Sequence, residues 1–134
     1  MKVEKSESMD LRSGDDVVRV RQIVRAHAVN AGFSLVDQTK IITAAIEIAR
    51  NTIDYGGGGT VRIEELRNGV HNGVRLVFED KGPGIADIDL AMKDGYTGGG
   101  GLGLGLGGAK RLCNDFSVQS TPGQGTTVTL ARWK

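Results

Sequence analysis

The 134-residue chain has 17 basic and 16 acidic side chains, a formal charge of +1 with both histidines neutral. That length suits one domain with a single core, over 1–134. The near-balance of charge removes the basic field that draws nucleic acid or an anionic membrane, so neither is expected as a partner. A lone cysteine, Cys113, precludes an internal disulfide and a multi-thiolate metal site. With a polar start and no apolar run approaching the roughly 20 residues of a membrane span, the chain reads as cytoplasmic. Glycine stands out: there are 21, about twice the ordinary share of roughly 7%, and nine of them fall between 95 and 108.

A weak strand is expected near 8–11. Ser13 is placed to cap a helix whose first turn holds Asp15 and Asp16, where the helix dipole favours anions. Val17, Val20, Val24, Ala28 and Ala31 then follow helical spacing on one stripe, and Gly32 supplies the stop. Ser34 with Asp37 opens a second helix through Ile41, Ala45, Ile48, Ala49 and Ile53, ended by the glycines at 56–59.

The alternating segment 60–66, two Asn-Gly pairs at 68–69 and 72–73, and the apolar segment 74–79 read as a β-hairpin. Its second strand runs into Asp80-Lys81-Gly82-Pro83-Gly84, where Pro and Gly turn the chain off the sheet. A short helix is expected at 87–93, a helical stretch at about 104–113, and two further strands at 116–121 and 126–133. The order predicts an α+β two-layer sandwich with helices on one face of a mixed β-sheet.

Three segments can carry chemistry. Glu47 and Asn51 lie four apart on the second helix and share a face. An Asn carbonyl oxygen suits Mg²⁺, and a carboxylate beside it can orient or deprotonate a hydroxyl. Asp80 ends a strand, and Gly82 and Gly84 let a ligand approach the backbone. A carboxylate there accepts from the exocyclic amine of adenine, whereas guanine presents an acceptor oxygen and is repelled, so ATP is expected over GTP. The tract 98–108 offers backbone amides to phosphates, with a helix N-terminus behind them. Its Gly103-x-Gly105-x-x-Gly108 follows no buried strand, which argues against a dinucleotide fold, and Lys110 lacks the neighbours of a Walker loop.

Taken in order, these segments resemble the motifs of the GHKL superfamily, the ATP-binding fold of DNA gyrase, Hsp90-type chaperones, sensor histidine kinases and MutL. Glu47-Ile48-Ala49-Arg50-Asn51 is similar to its N box, Asp80-x-Gly82-x-Gly84 to its first glycine box, and Gly101-x-Gly103-x-Gly105 to its second. Gly125-Thr126 is similar to its last small box, whose threonine helps hold the adenine-site acid through water. The wording of 47–51, 93–96 and 101–112 resembles the stressosome serine/threonine kinases, relatives of the anti-sigma-factor kinases.

That resemblance implies ATP and Mg²⁺ as cofactors, Asn51 on the metal, and Glu47 as base or orienter for the incoming hydroxyl. Arg50 and Lys110 are further candidates for phosphate contact. It also implies STAS-domain scaffold or antagonist proteins as substrates, and a PP2C-type phosphatase whose regulatory domain the released kinase binds and activates. An anti-sigma-factor kinase of the same fold and a non-catalytic ATP-gated binding module remain open as alternatives. The four glycines at 56–59 exceed what a connection needs, and no role is assigned to them here.

Overall fold

The computed structural model describes residues 1–84 and 105–134; the helix expected at 87–93 lies outside them. In chain order the elements are β1 (Lys2–Leu11), α1 (Gly14–Asn30), α2 (Leu35–Asp54), β2 (Gly59–Asn68), β3 (His71–Asp80), α3 (Gly105–Arg111), β4 (Asp115–Thr121) and β5 (Gly125–Trp133). Local sequence sets the helix ends. Before α1, the Asp16 carboxylate accepts from the backbone N–H groups of Arg12 at 2.8 Å and Ser13 at 3.3 Å. After it, Gly32 takes a φ of +84°, and the Phe33 N–H turns back to the Ala28 carbonyl at 3.0 Å. Ser34 Oγ accepts from the Asp37 N–H at 3.2 Å and so caps α2.

The five strands lie in the order β1-β2-β3-β5-β4, and all four pairings are antiparallel. The helices cover one face, as expected, but the sheet is not mixed. Two helices separate β1 from β2, so the chain returns and β2 runs against β1. The pairs β2–β3 and β4–β5 are antiparallel neighbours, and β5 lies between β3 and β4, which share a direction but never meet.

Two strand details also differ from expectation. Strand β1 begins at Lys2 rather than near Ser8, because most of its side chains are exposed and leave no apolar alternation to read. The hairpin turns on Gly69-Val70 alone, with Gly69 at the φ of +65° that a tight turn with glycine first requires. The second Asn-Gly lies inside β3. There Gly73 pairs with Trp133, and a Cβ at 73 would stand 2.7 Å from the indole ring, so this glycine makes room for packing.

The core fills the space between helices and sheet. Val20 and Val24 of α1, Ile41, Ala45 and Ile48 of α2, and Val61, Ile63, Val74, Leu76, Phe78 and Leu130 of the sheet are at most 1% exposed. Truncating one such aliphatic side chain to alanine costs about 2–5 kcal/mol, a large share of the ~5–15 kcal/mol that holds a domain folded. The core therefore fixes how α2 lies on the sheet, and with it the heights of residues 47 and 51. His27 ties layers together: its ring nitrogens face carboxylates of Glu7 on β1 and Glu65 on β2. Asn30 Nδ2 donates to the same Glu65 at 2.6 Å.

Candidate functional site

At one end of the sheet, register brings Leu11, Gly59, Asp80, Thr126 and Ser120 into one row across all five strands. Asp80, at the end of β3, accepts from the Gly82 N–H at 2.9 Å and the Thr126 N–H at 3.2 Å, both on Oδ1. The two backbone donors hold the carboxylate in place, and Oδ2 is the oxygen left, among the described residues, to accept from a ligand.

Glycines make this arrangement possible. A Cβ at Gly56 would stand 2.6 Å from Asp80 Oδ2, and one at Gly82 would stand 2.7 Å from Gly56 Cα. A Cβ at Gly59 would meet Thr52 Cγ2 at 2.9 Å, and one at Gly58 would meet the Leu11 carbonyl oxygen at 2.9 Å. The run at 56–59 thus lets the end of α2 settle directly on the acid and on the sheet. Gly84 has a φ of +77°, and the Gly123 N–H donates to the Pro83 carbonyl at 2.7 Å, locking the Asp80 turn against the β4–β5 turn.

The same packing brings in α2. The backbone N–H groups of Tyr55 and Gly56 donate to the Asn51 carbonyl at 2.9 and 3.3 Å, so a single turn of chain separates Asn51 from the glycine on Asp80. Glu47 and Asn51 are both half-buried, one helical turn apart, and Arg50 is exposed beside them. The structure therefore gathers Asn51, Asp80, Gly82, Gly84 and Thr126 at one end of the molecule, with Glu47 a turn further along α2. Gly101 and Gly103 lie outside the described residues, and Gly105 begins α3.

Lys110 goes elsewhere. It is exposed and lines a cavity of about 540 Å³ with Cys113, Asp115 and Trp133. Trp133 pairs with Gly73, at the opposite end of β3 from Asp80. At that end, Arg132 donates to Asp37 Oδ1 at 2.7 and 3.1 Å and to the Leu112 carbonyl at 3.0 Å, joining the start of α2 to the chain just after α3. Those hydrogen bonds hold the Asp37 carboxyl below the ordinary carboxylate value. Burial pushes the Cys113 thiol up to about 12, with Arg132 opposing and Asp115 adding to the rise.

Two contributors were not named from sequence. Gly56 shows only as one of four glycines, and its contact with Asp80 needs the fold. Ser120 carries no motif, yet its Oγ lies 2.9 Å from Thr126 Oγ1 and donates to the Gly125 carbonyl at 3.1 Å. Its alternation with Phe116 and Val118 is the one signal that it faces inward.

The family model for histidine kinase-, DNA gyrase B-, and HSP90-like ATPases matches residues 36–134. The chain belongs to that family. It is 44% identical to the serine/threonine-protein kinase RsbT of Bacillus subtilis (strain 168) over 88% of its own length and 89% of the relative's, which makes it an RsbT-like enzyme of the kinase branch. It is 27% identical to an anti-sigma F factor of Thermoanaerobacter sp. (strain X514) over 84% of this chain and 82% of the relative. Among solved structures, the fold is similar to the RsbU and RsbW domains of a Mycobacterium tuberculosis protein, with a TM-score of 0.65 at 20% identity. That match covers 96% of this chain and 32% of the other, so the chain spans about a third of that larger structure. Membership of this ATPase family implies that the domain binds ATP. No helix among the described residues is long and apolar enough to cross a membrane.

Proposed function

We propose that this RsbT-like enzyme transfers a phosphoryl group from ATP to a serine or threonine of a STAS-domain scaffold or antagonist protein. When released from that partner, it binds the regulatory domain of a PP2C-type phosphatase and activates it in the general stress response. The observation that carries the nucleotide part is the one-sided hydrogen bonding of Asp80, which leaves Oδ2 as an acceptor for an exocyclic amine. The partner part rests on likeness to RsbT, whose 44% identity exceeds the 27% to the anti-sigma F factor and favours the stressosome reading over an anti-sigma factor.

The donor set fits ATP with Mg²⁺. Among the described residues no group of three or more His, Cys, Asp or Glu side chains gathers as a protein cage for a metal. Mg²⁺ needs none, because it takes one or two protein oxygens and completes its shell with water and phosphate. Asn51 supplies such an oxygen from α2. Mg²⁺ held there would supply positive charge to the phosphate oxygens. Glu47 orients the incoming hydroxyl or takes its proton as the new O–P bond forms and the bond to the β-phosphate breaks. Asp80, clamped by Gly82 and Thr126, would hold the base, and Asn51 and Glu47 on α2 would serve the phosphate end. Arg50, exposed on the same helix, contacts phosphate or the protein substrate.

The test is intact-mass spectrometry of a STAS-domain partner after incubation with the chain, Mg²⁺ and ATP. One added phosphoryl group with wild type, and none with Glu47→Gln at unchanged ATP affinity, is the expected result. A partner that binds but gains no mass refutes the kinase assignment and leaves an ATP-gated binder.

A further inference from the structure

Side chains alternate across a strand, so Gly73, Arg75 and Val77 of β3 face away from the core that takes up Val74, Leu76 and Phe78. On that open face of the sheet, register sets Trp133 beside Gly73 and Ala131 beside Arg75, with Leu66 of β2 next to Gly73 and Asp115 of β4 next to Ala131. Ala131 offers only a methyl group between Arg75 and Asp115, and a hollow results. It belongs to the cavity of about 540 Å³ that Lys110 also lines. That volume falls within the roughly 300–1,000 Å³ of small-molecule sites.

The protein itself holds the walls in place. The indole lies against Gly73, where a Cβ would stand 2.7 Å from the ring, and its N–H donates to Asp115 Oδ2 at 3.0 Å. Arg75 Nε donates to Glu64 Oε1 at 2.7 Å, and the Glu64 side chain is 9% exposed. This bond fixes the guanidinium and leaves its Nη donors unused among the described residues. Lys110 is exposed and makes no hydrogen bond or ion pair among the described residues. Arg62 also reaches Glu64, at 3.5 Å, so three cations stand around the two carboxylates of Glu64 and Asp115. The surplus charge is positive, and it adjoins the apolar surface of Trp133 and Leu66.

From these features we infer that the cavity is a binding site for a small aromatic carboxylate, separate from the nucleotide corner at the other end of β3. A guanidinium with free Nη groups matches the two oxygens of a carboxylate, which a neutral amide does not offer. Trp133 and Leu66 give the ligand's ring an apolar wall, and Lys110 adds charge at the mouth. The site thereby gives Lys110 a task that its distance from Asp80 denies it in nucleotide binding.

Trp133 is the single tryptophan of the chain, so its fluorescence reports on this cavity and on no other place. The test is titration of the full chain with phenylacetate, with its neutral analogue phenylacetamide, and with acetate, which lacks the ring. A saturable change with phenylacetate is expected, with about tenfold weaker binding of phenylacetamide and none of acetate over the same range. Lys110→Gln should weaken phenylacetate about three- to fivefold, as fits an exposed cation. Arg75→Lys, which keeps a charge beside Glu64 but loses the fork, should weaken it about tenfold. Arg25→Gln, which removes an exposed cation on α1, should leave it unchanged.

No saturable response to phenylacetate overturns the proposal. So does an equal affinity for phenylacetamide, or wild-type affinity in both Lys110→Gln and Arg75→Lys. Thermal unfolding of each variant without ligand separates a folding loss from a binding loss, and Lys110→Gln, at an exposed position with no partner among the described residues, tests the site even where Arg75→Lys fails to fold.

Discussion

Replacing Asp80 by asparagine changes one atom and tests the logic of the site. The side-chain oxygen of Asn must stay on the backbone N–H groups of Gly82 and Thr126, now 2.9 and 3.2 Å from Asp80 Oδ1, or leave two donors unmet. That choice puts the NH₂ group where Oδ2 stands, so a donor faces the amine of the base. A hydrogen bond to a charged group contributes about 1.5–3 kcal/mol, and each ~1.4 kcal/mol is a factor of ten. The expected loss of ATP affinity is therefore roughly ten- to a hundredfold before the donor–donor repulsion is added. Stability should change far less, because both backbone donors keep an acceptor and Gly56 still has room against the side chain. Calorimetric titration with MgATP beside a thermal unfolding scan separates the two. An Asp80→Asn variant that binds ATP within about twofold of wild type, with its fold intact, refutes the assignment of Oδ2 to the base.

The remaining predictions concern the far end of the molecule. Asp37 has its carboxyl lowered chiefly by hydrogen bonds from Arg132, so its contribution to stability is complete above the ordinary carboxylate value and is lost as pH falls through the lower folded value. An Asp37→Asn variant should accordingly show a flatter acid limb than wild type in thermal unfolding between pH 5 and pH 2; parallel limbs would remove Arg132 as the cause. The Cys113 thiol, pushed up to about 12, should resist iodoacetamide at pH 8 in the folded chain and react promptly in denaturant. Rapid alkylation of the native protein would show that burial does not protect this sulfur.

Much of the proposed machinery is legible from local chemistry. Asn51 and Glu47 declare themselves by a four-residue interval on a helix whose apolar stripe is plain, and Asp80 by its place between a strand and a Gly-x-Gly turn. Both features depend on residues near each other in the chain. The first half of β1 is hidden in the sequence because exposure on an edge erases alternation, and the second Asn-Gly resembles a turn because its packing partner, Trp133, lies 60 residues away.

By itself, then, the sequence determined α1 and α2, their caps and the order of the described elements, because each of these rests on periodicity or short-range hydrogen bonding. Tertiary structure decided what depends on register between distant strands. It set β5 rather than β4 beside β3, which puts Thr126 and then Ser120 next to Asp80. It laid Gly56 on the Asp80 carboxylate and carried Lys110 to a cavity shared with Trp133, at the other end of β3. No local pattern encodes such neighbours, since they follow from where a shared core forces separate elements to lie.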